Sequence, residues 1–381
     1  MNRLFILLLL MLTLPTHLPA DAQSSFRYGT LPELPSIDGK PNPGVAGAFA
    51  GISHGALLLA GGANFPNGYP WQNGRKAWQS AVYVLSEPGK STHWQSAGTL
   101  PGPLAYGASV SWNEQLICIG GANADQQHAA VFSLTWHPKT RQVITKTLPD
   151  LPLALANLSA SVLGHELYVF GGESSQGSVR SLFVLNLQHP ESSWQSRADL
   201  PGQARSFTTL VAMPDADGGS LFVLGGRQTV AGQTTVFGDA YQYHPKQNTW
   251  QRLGNLPVAV AAHEAAGVDT NRLLLFGGDD GVRLRQIEAL NNQITNQPDH
   301  PEKAKWVVQR NDLQMNHPGF RREIWQYRTD TKRWAVVGHM PFPAPVTTTA
   351  IRWGKSFLLP SGEVSPGIRT PTIRLITSVS P

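Results

Sequence analysis

Near the C-terminal end, the stretch "SGEVSPGIRT" at residues 361–370 carries Glu363 and, six positions on, Arg369. A carboxylate can carry a proton to or from a reacting oxygen, and a guanidinium can hold an anionic group through two parallel charge-assisted hydrogen bonds. Groups of similar capability are scattered through the rest of the chain. Asn64, Glu173 and the Asp279-Asp280 pair stand at or just after Gly-Gly doublets, and Tyr106, Arg205 and His263 lie in small-residue stretches. No two of these sites are close enough in sequence to form a local motif, so any joint chemistry depends on a fold that gathers distant segments.

The elements that must do this are repeated. Apolar runs closing on a glycine doublet recur as "ALLLAGG", "LICIGG", "LYVFGG", "LFVLGG" and "LLLFGG", and "SFLLPSG" is a sixth, degenerate copy. A second short apolar strand follows each, and in most copies a tryptophan then precedes Leu-Pro or Met-Pro. A small-residue strand leads into the next run. Four short strands with a period of roughly 50 residues is the signature of a kelch-type propeller blade. The count predicts an all-β, six-bladed kelch-type β-propeller over residues 23–381. The stretch "FRYGTLPELP" matches the fourth-strand pattern, with Phe26 in the tryptophan place. The N-terminal strand is therefore expected to complete the C-terminal blade and remove a free sheet edge. Trp94, Trp194, Trp250 and Trp334 hold regular places in the repeat, which points to packing between blades rather than to ligand stacking.

One stretch breaks the period. About forty residues, 283–322, interrupt blade five, far more than an ordinary loop. Ile287, Leu290 and Ile294 allow a helical turn or two, and the segment reads as a partly helical cap. In a four-stranded antiparallel blade the loop between the second and third strands and the lead-in to the next blade emerge at the same end. That rule puts Asn64, Tyr106, Glu173, Arg205, His263, Asp279, Asp280, Glu363 and Arg369 on one rim, where polar groups around the axial opening make a small-molecule site. In the last copy, Ser361-Gly362 reads as an ordinary turn given up so that the loop can carry chemistry.

Composition narrows the class. The chain has 381 residues, 37 Gly, 29 Pro, 41% hydrophobic and 14% charged residues, a turn-rich β profile. A net charge of +5 without a basic run argues against nucleic-acid binding. The start, "MNRLFILLLLMLTLPTHLPADAQ", has a basic residue, a short apolar core and a small-x-small site. It predicts a signal peptide at residues 1–22, export to the periplasm, and no membrane span after cleavage. Cys118 is the single cysteine, so no internal disulfide can form, and its place inside "LICIGG" predicts a buried thiol. A lone buried cysteine also argues against a copper-radical oxidase. No metal or other cofactor is expected.

The segments "GVAGAFAGISHGALLLAGGANFPNGYPWQNG", "LAYGASVSWNEQLICIGGA" and "SGEVSPGIRT" resemble the bacterial sialic acid mutarotase, or N-acetylneuraminate epimerase, family of exported kelch propellers. The blade order is rotated relative to the better-known members, which resembles a cyclically permuted branch. The resemblance implies interconversion of the α and β anomers of N-acetylneuraminate, with Glu363 and Arg369 matching the catalytic positions. Glu363 is then the proton carrier and Arg369 the grip on the sugar's carboxylate, while Arg205, His263, Tyr106 and Asn64 are expected to bind substrate. Leu104 departs from the family pattern, where arginine can precede Ala-Tyr-Gly. Glu173 competes for the acid/base role, and Glu363 with Glu173 or Asp279 could form a glycosidase pair. The alternative is a non-catalytic secreted kelch module that binds carbohydrate or protein.

Overall fold

The structure, a computed structural model, describes residues 26–215 and 218–379; the expected signal peptide lies outside them. Six four-stranded antiparallel sheets follow one another around an axis. Their innermost strands are Phe49–Ser53, Ala108–Trp112, Ser159–Leu163, Thr209–Met213, Glu264–Gly267 and Ile351–Trp353. The ring closes as the repeat count predicts: Phe26–Leu31 pairs antiparallel with Ile373–Ser378 and becomes the outer strand of blade six.

Each second strand is an unbroken apolar run because it is buried on both faces. In blade one, Leu57 and Leu59 pack toward blade six, whereas Leu58 packs toward blade two. Six interblade cores result, one per blade boundary. The repeat tryptophans serve these boundaries. The indole N–H groups of Trp94, Trp194 and Trp250 donate to carbonyls of Pro32, Pro149 and Ala198 on the preceding blade at 2.8–2.9 Å. Cys118 is fully buried between blades one and two, and burial pushes its thiol pKa well above the usual range.

At the loop end of the inner strands, one residue per blade adopts a left-handed backbone: Gly47, Tyr106, Asn157, Phe207, Ala262 and Thr347, with φ between 50° and 66°. Five of the six junctions between them are main-chain hydrogen bonds, all but the one from blade six to blade five. Gly47 N–H donates to Thr347, Tyr106 to Gly47, Asn157 to Tyr106, Phe207 to Asn157 and Ala262 to Phe207, at 2.7–3.0 Å. These bonds form a polar hoop around the axis.

The glycine doublets sit just outside the hoop. A Cβ on the first glycine would lie 2.3–2.6 Å from the next blade's carbonyl oxygen at Gly61, Gly120, Gly171 and Gly225. The second glycine's N–H donates to that same carbonyl. The doublet is thus the point where two blades approach main chain to main chain. Blade six departs from this with a serine, but it does not give up the turn: Ser361 and Gly362 have φ of 61° and 110°, like the other pairs. The Ser361 hydroxyl accepts from Val45 N–H at 2.9 Å and donates to the carbonyls of Val45 or Thr370. The degenerate doublet therefore welds blade six to blade one.

The blade-five insertion is more helical than a turn or two. It forms α1 (Val282–Asn296) and α2 (Lys303–Met315), packed on each other. Helix α1 is tied to a hairpin of blade four, where Glu288 accepts from Thr234 N–H at 2.9 Å and from its hydroxyl at 2.5 Å. Helix α2 reaches the loop of blade one at Pro70–Gln72. The insertion therefore lies across the ring from blade four to blade one.

Replacing Ser361 with alanine leaves the buried N–H of Val45 without its acceptor. The expected loss is about 1–3 kcal/mol of stability, read as an earlier denaturant midpoint with an unchanged m-value.

Candidate functional site

Between the hoop and the insertion lies a cavity of about 420 Å³. Tyr106, Asn157, Phe207, Ala262 and Thr347 form its floor, and the same residues roof an axial channel running between the inner strands. Leu284, Ile287, Gln314, His317 and Phe320, from the insertion and the segment that follows it, form its cover. The charged lining consists of Lys76, Arg227, Asp279, Glu363 and Arg369.

The repeat explains how these groups meet. The residue after each doublet bridges to the residue just before the hoop position of its own blade. The pairs are Ala63 with Ala46, Ala122 with Ala105, Glu173 with Ala156, Arg227 with Ser206, Asp279 with Ala261 and Glu363 with Val346. Six equivalent places thus surround the axis, occupied in order by Ala, Ala, Glu, Arg, Asp and Glu. Blade six adds a hairpin, Glu363–Ser365 with Ile368–Arg369, turned by Pro366 and by Gly367 at φ 79°. Proline followed by a glycine at positive φ suits a type II turn. Glu363 and Arg369 are register partners across it, which is why their spacing of six brings the side chains together.

Arg369 donates from Nη1 to Glu363 Oε1 at 2.9 Å, and the Gly367 N–H donates to the same oxygen at 2.7 Å. The guanidinium also stacks on Phe65, 4.9 Å from the ring centroid, and reaches the carbonyl of Ala63. Its side chain is only 4% exposed, against 21% for Glu363. Arg369 therefore orients the carboxylate from behind. Asp279 is a second carboxyl in the lining. Burial raises its pKa above the ordinary range, opposed by the Gly281 N–H and by the charge of Arg227. Burial lowers the pKa of His317, against the pull of Asp279 and Glu363.

The other expected site residues divide. Tyr106 lies in the cavity floor. Arg205 does not reach the cavity. It is fully buried, forms a two-point ion pair with Asp239 at 2.6 and 3.1 Å, and packs on Phe237. Leu104 is its counterpart, since Gly62 and Gly172 donate to the carbonyls of Leu104 and Arg205 respectively. That position is an interblade slot, so a leucine there removes no lining group. Asn64 is also structural in placement, 1% exposed and bonded to Gly44 and Gln79. His263 faces the axial channel below the hoop, 2.9 Å from the Thr209 hydroxyl, and burial drives its pKa down to about 3. Glu173 has both carboxylate oxygens engaged, by Asn157 and Ser206.

Arg227, Lys76, Trp78, Phe65 and His317 are lining residues that were not expected from the sequence. Arg227 was detectable in principle, since it follows a doublet as Glu173 and Asp279 do. Trp78 pairs with the post-doublet Ala63 as Arg369 pairs with Glu363, whereas Lys76, Phe65 and His317 sit in blade-specific segments. Among the described residues, no cluster of three or more His, Cys, Asp or Glu side chains could hold a metal ion, and no helix is long and apolar enough to cross a membrane.

The fold and the site together define a six-bladed kelch-type propeller with a capped cavity at one end of its axis, where three cationic side chains face two carboxylates. A family model described as N-acetylneuraminate epimerase matches residues 16–143 and 148–379, and the chain belongs to that family. An N-acetylneuraminate epimerase of Brucella melitensis is 28% identical over 233 residues, covering 60% of this chain and 58% of the relative. A kelch domain-containing protein of Vibrio cholerae is 26% identical over 228 residues, covering 58% and 61%. The chain thus spans about three fifths of the length of these relatives. The solved structure of YjhT superposes with a TM-score of 0.62 at 16% identity, covering 92% of this chain and 97% of that one. That likeness concerns the fold.

His263 gives a test of the channel. Its native pKa of about 3 lies below the ordinary 6.5, so the unfolded chain takes up a proton that the native state excludes. The stability this contributes is complete above pH 6.5 and declines as the pH falls toward 3, by up to about 1.4 kcal/mol per unit. Glu264, buried with a raised pKa, acts in the opposite sense and is common to both proteins in the comparison. Urea unfolding at pH 7 and pH 4.5 is expected to show a smaller loss on acidification in a His263→Gln variant than in the unaltered protein.

Proposed function

We propose that the protein is a mutarotase that interconverts the α and β anomers of N-acetylneuraminate. The observation that carries this is the Glu363–Arg369 pair, in contact at 2.9 Å on the wall of a capped cavity whose other charged groups are Lys76, Arg227 and Asp279. An excess of cations suits an anionic ligand, and the cover shields part of the site from bulk water. The names of the family and of the Brucella relative support the same substrate.

Ring opening removes a proton from the anomeric hydroxyl and delivers one to the ring oxygen as the ring C–O bond breaks. The open-chain ketone rotates, and reclosure on the other face reverses both transfers. Glu363, held by Arg369 and the Gly367 N–H, accepts the proton. Asp279, whose carboxyl burial keeps protonated to higher pH, donates one. A second reading, a kelch module that binds the sugar without turnover, has the Vibrio relative's name in its favour. We also propose export to the periplasm, on the leader-like composition of residues 1–22.

Proton NMR of freshly dissolved N-acetylneuraminate tests the reaction. Catalytic amounts of protein are expected to accelerate anomer equilibration, and Glu363→Gln to lower that acceleration by roughly 10²- to 10⁴-fold. Binding by calorimetry with no acceleration would select the kelch module instead. Asp279→Asn is expected to remove the fall in rate that the unaltered protein shows as the pH rises through the raised pKa of Asp279, with pH–rate profiles as the check.

A further inference from the structure

We infer that Arg227, on blade four, is the residue that takes the carboxylate of the sugar acid; this rests on the proposed mutarotase reading and identifies its specificity-determining contact. Arg369, the residue expected for that task, already points one nitrogen at Glu363 and another at the carbonyl of Ala63. Arg227 is differently placed. Its guanidinium lies over the Phe207 ring, with Cζ 3.9 Å from the ring centroid, and that ring belongs to the cavity floor. Among the described residues its side chain forms no ion pair and no hydrogen bond, and its Nε–H is buried without a partner. Asp279 is near enough for the two charges to act on each other, yet no ion pair joins them.

A planar fork held against an aromatic face, with neither terminal nitrogen bonded to another described residue, is ready for a carboxylate approaching end-on through Nη1 and Nη2. Among the described residues, Lys76 is the other lining cation without an ion pair, lying 5.1 Å from the Tyr106 ring centroid and 5.6 Å from that of Trp78. It offers a point charge on a flexible stem and no two-point geometry.

The ring symmetry fits this role to the reaction. Arg227, Asp279 and Glu363 hold the equivalent post-doublet position on three consecutive blades. The anomeric carbon of a 2-keto sugar acid bears three oxygen-containing substituents: the carboxylate, the hydroxyl and the ring oxygen. With the carboxylate on Arg227, the hydroxyl and the ring oxygen remain for the two carboxyl side chains, and the substrate enters in one orientation. An amino-acid side chain at each of the three places thus addresses one substituent of a single carbon.

Calorimetry with N-acetylneuraminate and with its methyl ester tests the contact. The unaltered protein is expected to bind the free acid roughly ten- to hundredfold more tightly than the ester, the range of a charge-assisted pair. Arg227→Gln is expected to bind both with the same weak affinity and to raise KM by a similar factor. Arg227→Lys is expected to retain part of the preference, and thermal melting of both variants checks folding; if the glutamine variant does not fold, the lysine variant carries the test. A preference for the acid that survives in the folded variant overturns the role of Arg227 alone. An unaltered protein that neither binds N-acetylneuraminate nor speeds its anomer exchange overturns the mutarotase reading, and this inference with it.

Discussion

Everything around the capped cavity of this molecule depends on a hoop of main-chain hydrogen bonds between residues in the left-handed region. Five of its six members carry a side chain, and such residues pay roughly 1–2 kcal/mol each for that conformation. Thr347 is the most adverse, because branching at Cβ crowds the backbone there. The five bonds that link blade six to one, one to two, two to three, three to four and four to five offset this strain and hold the inner strands at one height. At Gly47 a Cβ would meet the Tyr106 main-chain nitrogen at 2.7 Å, so the hoop admits no side chain at that point. Because the next residues outward bridge to the post-doublet positions, the hoop also sets the height of Arg227, Asp279 and Glu363.

The site is thus an irregular surface laid over a regular frame. The frame supplies the floor and three of the charged groups at equivalent places. Blade-specific loops supply the remainder: the hairpin with Arg369, the loop with Phe65 and Lys76, and the insertion with His317. Symmetric strands do the positioning, the residue type at each equivalent place differs from blade to blade, and the loops that complete the lining gather at one end.

Much of this was legible in the sequence because it repeats. The doublets, tryptophans and unbroken apolar runs gave six blades and the closure by Phe26–Leu31, since each is a packing requirement met six times over. The blade topology also put Tyr106, Asp279, Glu363 and Arg369 at one rim. What topology could not tell was the direction of each side chain. Arg205, Asn64 and His263 come from the same lead-ins and loops, yet they turn into an interblade slot, beneath a loop and into the axial channel. A residue's height along the axis follows from the repeat, whereas inward or sideways orientation depends on the neighbouring blade. Arg227 follows its doublet as Glu363 follows Gly362, so its place was legible, and the bridge to Ser206 shows the same match in the fold. The insertion has no counterpart elsewhere in the chain, so its two helices had no template from which to be read.

Blade six is built from both terminal regions of the described chain, and it is also the blade that bears Glu363 and Arg369. During synthesis its first strand emerges early and must wait, unpaired, until its partner at Ile373–Ser378 is released. The hairpin that bears Glu363 and Arg369 is therefore among the last parts to gain support. A truncated chain could stack five blades and still have no working pocket, which makes completeness of the polypeptide a condition of competence.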